Sequence, residues 1–181
     1  MATMPALPIL EASLQLEGTR GYLTYRVTNR ADRVLFLFNV LHGESDERGH
    51  YQVDPGCYVQ IADDSVTLSK KILEPPMGTF LEKNNVPFVS RLPAGQHYSE
   101  HISFPLPLRE RTPFAQPGSG HGTQARPCFF EVGYFFGQAG TDELIQVFQT
   151  NSGQQIGFDP FPISSQSVLR VGPLATLPIA L

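Results

Sequence analysis

Leu10, Ala12, Leu14 and Leu16 recur at every second position, with Glu11, Ser13, Gln15 and Glu17 between them. A period of two places the apolar set on one face of an extended strand, where a helix would need a period near 3.6. The alternation returns in residues 22–29, where Leu23, Tyr25 and Val27 share a face. It returns again in residues 97–104, where Tyr98, Ile102 and Phe104 oppose His97, Ser99, His101 and Ser103. No helical period is sustained outside residues 142–149. There Thr141 can cap a short helix and Asp142 and Glu143 suit its positive end, while a strand over residues 144–150 competes for the same stretch. The chain reads as all-β with at most one short helix.

Two segments are apolar at consecutive positions, residues 34–41 and 128–136. A strand of that kind is dry on both faces and belongs at the centre of a sheet or beneath a covering segment. Further strands are marked by Cys57, Val59 and Ile61, by Val66, Leu68 and Ile72, and by residues 86–90 and 166–171. Residues 43–49 are polar and read as a loop. Eight or nine strands, with no linker and no internal repeat, point to one domain over residues 1–181. The expected architecture is a two-sheet antiparallel sandwich, immunoglobulin-like or a related Greek key; a jelly roll or barrel of similar strand count shares these features. Residues 105–127 are rich in Pro and Gly and read as a long loop. Residues 172–181 are apolar but carry Pro173 and Pro178, so they read as an extended tail that cannot join a sheet centrally.

Composition removes several classes of function. The formal charge is −4 and the 13 Lys and Arg residues are scattered, which leaves no footprint for a nucleic-acid backbone. No stretch reaches the roughly 20 apolar residues of a membrane span, and the amino terminus has neither the basic nor the apolar part of a secretion signal, so a cytoplasmic protein without membrane insertion is expected. Cys57 and Cys128 have the separation of an immunoglobulin inter-sheet bridge. With no Trp to pack on it and no secretion signal, two buried thiols are the expected state.

Catalytic patterns are weak. His97 and His101 lie roughly 13 Å apart if they share a strand, too far for one metal ion. His42, Glu44, Asp46, Glu47, His50 and Asp54 crowd one stretch but lack the spacing of a calcium loop. Ser119, Gly120 and His121 lack the strained turn that activates a serine. No catalytic residue and no cofactor are assigned.

The function expected is therefore non-catalytic: a protein-binding or assembly module that meets a protein partner, or a second copy of itself, through loops or a sheet edge. The contact residues expected are Phe104, Leu106, Leu108 and Phe114, with Leu177 and Ile179 in the tail. Two further apolar, proline-bearing segments, residues 73–77 and 158–162, serve either as such a surface or as cover for the doubly apolar strands. A different reading is a small hydrolase inhibitor of protease-inhibitor type, presenting residues 105–127 to an enzyme. A third is a metal-dependent enzyme using residues 42–54.

Overall fold

The computed structural model describes residues 6–83, 85–116, 118 and 120–181. It is all-β, with short 3-10 turns at Thr141–Leu144 and Ile163–Ser165. The first strand, β1 (Ile9–Glu17), pairs with β2 (Arg20–Thr28) at all nine positions, and β2 pairs with β8 (His97–Pro105), giving a three-stranded antiparallel sheet. The larger sheet holds β3 (Leu35–Ser45), β4 (Tyr51–Asp54), β5 (Tyr58–Ile61), β6 (Val66–Lys70), β7 (Phe88–Leu92), β9 (Thr123–Phe136), β10 (Gln146–Thr150) and β11 (Gly153–Gly157). Its order is β4-β10-β11-β7-β3-β9-β6-β5, and β12 (Ser167–Ala180) lies along β9.

Two features depart from a simple antiparallel two-sheet arrangement. The larger sheet is mixed, because β6 runs parallel to β9 and β10 parallel to β4. Moreover, β4 pairs with β3 as well as with β10, so β3, β4, β10, β11 and β7 close into a ring of five strands. Register shifts between Leu37 and Val40 against β7, and between His42 and Ser45 against β4, bend β3. A bulged strand twists more strongly than a regular one, which lets its partners curl round and meet. The inside of the ring is aromatic. Phe88 on β7 and Phe148 on β10 belong to strands that are not neighbours, so their stacking at 4.8 Å is made across the interior. His42 stacks on Phe88 at 4.1 Å, and Tyr51 closes on both Phe88 and Phe148. A side chain on Gly157 of β11 would meet Phe88 and Phe148 at 3.1 and 3.2 Å.

The main core lies between the two sheets. Leu23, Tyr25, Val27, Ile102 and Phe104 from the smaller sheet meet Leu35, Leu37, Val66, Leu68, Phe130 and Val132 from the larger. Cys57 and Cys128 are buried there as free thiols. The doubly apolar β3 has the cover its sequence demands. Phe36 and Phe38, on its second face, pack on Phe135 and on the segment after β11, with ring centroids 5.2 Å from Phe36 to Phe158 and 5.0 Å from Phe38 to Phe161. The second face of β9 is only partly dry: Glu131 lies on it, bonded by Lys71 and Arg170.

Several expectations are corrected. Residues 172–180 are extended, as their sequence implies, but they are laddered to β9 as the second half of the edge strand β12 rather than left as an unpaired tail. The ladder lapses between Val171 and Ala175, and Pro173, which has no N–H to give, falls in that gap. Most of residues 105–127 is fastened to the body. Leu106 N–H donates to Thr19, Leu108 exchanges hydrogen bonds with Pro178 and Ala180, Arg111 exchanges two with Val59, and β9 begins at Thr123. Residues 43–45 continue β3 rather than forming a loop. Near Thr141 the helical turn and the strand both occur, in succession, and the Thr141 hydroxyl accepts from Gln138 N–H rather than from the first turn.

Candidate functional site

The connection from β6 to β7 is anchored at both ends, and residues 76–83 between the anchors are exposed. At its start Ile72 and Leu73 are buried, and the Gln166 side chain brackets Ile72, accepting from its N–H at 2.8 Å and donating to its carbonyl at 3.1 Å. At its end Val86 is buried and its carbonyl faces His42 Nε2 at 2.9 Å. Lys83 is tied to Asp159, and that hydrogen bond and charge raise the Lys83 ammonium above its ordinary range.

Between the anchors the chain folds over itself. Thr79 N–H donates to Pro76 O, and Gly78 has φ +83° at the third position of the turn while Met77 keeps a negative φ. This is the signature of a type II turn, which favours Gly at that place. Two prolines stiffen the approach. The result is that Met77 and Phe80 stand fully exposed, at 103% and 99%, with Leu81 next to them. Glu74, Glu82 and Lys83, also exposed, flank them with charge.

Beside this loop a cleft of about 630 Å³ opens at the mouth of the five-strand ring. Leu81 and Lys83 of the loop form one wall, and His42, Glu44, Tyr51 and Phe114 contribute to the others. The two ring nitrogens of His42 face the carbonyl oxygens of Gly43 and Val86 at 2.8 and 2.9 Å, and whichever nitrogen carries the proton donates to its carbonyl. Asp46 holds the following turn, accepting from the backbone of His50 and Arg48, and the His50 hydrogen bond is the largest influence lowering its carboxyl below the usual range. Among the described residues no group of three or more His, Cys, Asp or Glu side chains is placed to hold a metal ion.

A second polar cluster is buried between the sheets. Lys70 Nζ lies 2.6 Å from Glu100 Oε1, and the Tyr25 hydroxyl donates to Glu100 Oε2 at 2.6 Å. Burial first, and the Glu100 charge second, push the phenol of Tyr25 far above its ordinary range, and they push Tyr98 up to about 12. The Asn39 Nδ2 nearby is buried without a partner. This cluster joins the two sheets.

The contact residues expected from sequence are mostly enclosed. Phe104, Leu108, Leu177 and Ile179 lie in the core between the sheets, Leu106 packs against it, and Phe114 is half-buried beside Leu41, Tyr58 and Leu73. All six combine apolar character with nearby prolines, a pattern that a strand edge folded onto its own core shares with a contact surface. His97 and His101 are exposed on β8, with His101 bonded to Thr24 and stacked on Tyr22. Ser119 lies outside the described residues. Of the exposed apolar pair, Met77 falls in a segment singled out by its sequence. Phe80 was missed, although it stands in a stretch without strand period just past Gly78, where no buried face is available to it. Comparison with protein-family models, with curated proteins and with solved structures finds no match to this chain. Among the described residues no helix is long and apolar enough to cross a membrane.

Proposed function

We propose that the protein is a non-catalytic binding module, an immunoglobulin-like sandwich with a five-strand ring built onto one sheet, which engages a protein partner through residues 74–85. The observation that carries this reading is the full exposure of Met77 and Phe80 on a loop anchored at both ends. Leaving two large apolar side chains in water forgoes about 1.5–3 kcal/mol each relative to burial. Met and Phe are enriched where proteins meet, and a rim of exposed charge such as Glu74, Glu82 and Lys83 is the usual border of such a patch. The adjoining cleft supplies a concave surface to the same partner.

The alternative of a protease inhibitor needs a projecting loop, and residues 105–127 are tied back at Leu106, Leu108 and Arg111. A metal-dependent enzyme built on residues 42–54 would need its ligands gathered at one point, and among the described residues no group of three or more His, Cys, Asp or Glu side chains is placed to hold a metal ion. Both lend less support than the exposed loop.

The test compares the wild-type chain with the variant Met77→Ser/Phe80→Ser as baits for affinity capture from the source cells. A protein retained by the wild type and lost with the variant, at unchanged thermal stability, is expected. The same proteins on both baits would contradict the reading.

A further inference from the structure

A second cavity, of about 520 Å³, opens between the end of β9, the 3-10 turn at Thr141–Leu144 and the proline-bearing segment after β11. Its floor is aromatic, because the segment that covers β3 supplies it. Phe135 meets Phe158 edge-on at 5.1 Å and Phe161 at 4.7 Å, and Phe158 is fixed in turn against the buried Phe36. Gln138, Gln146, Ser165 and Ser167 add neutral hydrogen-bonding groups to the walls. Two charged side chains also line the cavity, Arg33 and Asp159. The Asp159 carboxylate is matched by the Lys83 ammonium, and Asp142, beside the lining Thr141, is matched by Arg91. Arg33 has no such match. Its guanidinium carbon lies 4.3 Å from the centre of the Phe136 ring, and among the described residues no carboxylate pairs with it.

We propose that this cavity binds a small aromatic carboxylate, with its ring among Phe135, Phe158 and Phe161 and its carboxylate on Arg33. The floor selects the ring, since aromatic side chains receive another ring edge-on or in an offset stack. The charge selects the acid. Arg33 is the one lining charge without a counter-ion, and a guanidinium held over an aromatic face still presents a planar fork of N–H donors that a carboxylate meets with two hydrogen bonds. An amine on the same ring would meet Arg33 as a like charge, and an alcohol would forgo the charge-assisted bond. The volume lies within the range of about 300–1,000 Å³ usual for small-molecule sites. The proposal does not depend on residues 74–85 meeting a protein partner.

The experiment titrates the full chain with benzoate, benzyl alcohol and benzylamine, each up to about 10 mM, and follows backbone amide resonances by nuclear magnetic resonance. Benzoate should give saturable shifts confined to residues 135–146 and 158–167, at least about fivefold tighter than benzyl alcohol, and benzylamine should bind more weakly still. Arg33 is exposed, so its replacement leaves the core intact. In Arg33→Gln, benzoate should fall to the level of benzyl alcohol, whereas Arg33→Lys, which keeps the charge without the fork, should retain part of the preference. Thermal melts confirm that both variants are folded as the wild type is. No saturable shift with benzoate overturns the proposal. So does equal binding of the three probes, a preference for benzoate that survives in Arg33→Gln, or shifts centred on other residues.

Discussion

Lys70 and Glu100 meet in the core, one from each sheet: the Lys70 side chain is 1% exposed, and its Nζ lies 2.6 Å from Glu100 Oε1. The other Glu100 oxygen takes the Tyr25 hydroxyl. In a low-dielectric setting an ion pair is tolerated only when both members are bonded, and the loss of one leaves a buried charge unopposed. The pair therefore fixes how the sheets are matched more than it adds to their adhesion.

Lys70→Ala is expected to lower unfolding free energy by about 3–5 kcal/mol, whereas Lys70→Met/Glu100→Leu should recover most of that loss, because no charge is left stranded. Urea unfolding of the two variants beside the wild type checks this. Equal losses in both would mean that the cavity, not the stranded charge, dominates.

Alkaline pH should unfold the protein early. Burial, the largest influence in each case, pushes the thiols of Cys57 and Cys128 and the phenol of Tyr58 up to about 12, and raises Tyr25 as well. These acids hold their protons more tightly folded than unfolded, so their contribution is complete below the ordinary thiol and phenol values of 9.0 and 10.0 and is lost as pH rises past them. For a fully enclosed group of this kind the slope is about 1.4 kcal/mol per pH unit. Stability measured from pH 8 to 11 should fall progressively, and Tyr25→Phe should flatten the upper part of that curve while lowering its plateau.

The cover over β3 should be far more costly to remove than the exposed loop. Phe158 stands edge-on to both Phe36 and Phe135, at 5.2 and 5.1 Å. Phe158→Ala is expected to destabilise by about 3–5 kcal/mol. Phe80→Ala, by contrast, should stay within about 0.5 kcal/mol of wild type. Thermal melts of the two variants compare them directly.

Closure of the ring can be probed at Gly157. An added methyl there meets Phe88 and Phe148 inside the ring, so Gly157→Ala should cost about 1–3 kcal/mol through overpacking. A neutral result in thermal melts would mean that the two rings yield by the few tenths of an ångström the methyl needs.

The strands that alternate cleanly were legible in the sequence, because a half-wet strand writes its faces into every second residue. β1, β2 and β8 lie where Leu10, Leu23 and Ile102 put them, and β3 is covered on both faces as its unbroken apolar run requires. Three things were hidden. The ring depends on bulges in β3, which are set by pairing partners distant in sequence. β12 extends through two prolines because one sits where the ladder already lapses. Glu100 and Lys70 lie on faces that an alternation rule reserves for apolar groups, and only the cross-sheet pairing makes them compatible with burial. The candidate site was half visible: Met77 stood out beside Pro75 and Pro76, but only the turn at Gly78 and the anchors at Ile72 and Val86 show that Phe80 is held out with it.

The claim that residues 74–85 form a protein-contact element is tested most directly by placing a photo-crosslinking amino acid at Phe80 and, as a control, at the exposed Asp63, and irradiating living cells. The account predicts a discrete crosslinked protein from position 80 that is absent from position 63. No crosslink from position 80, or the same products from both positions, would contradict it.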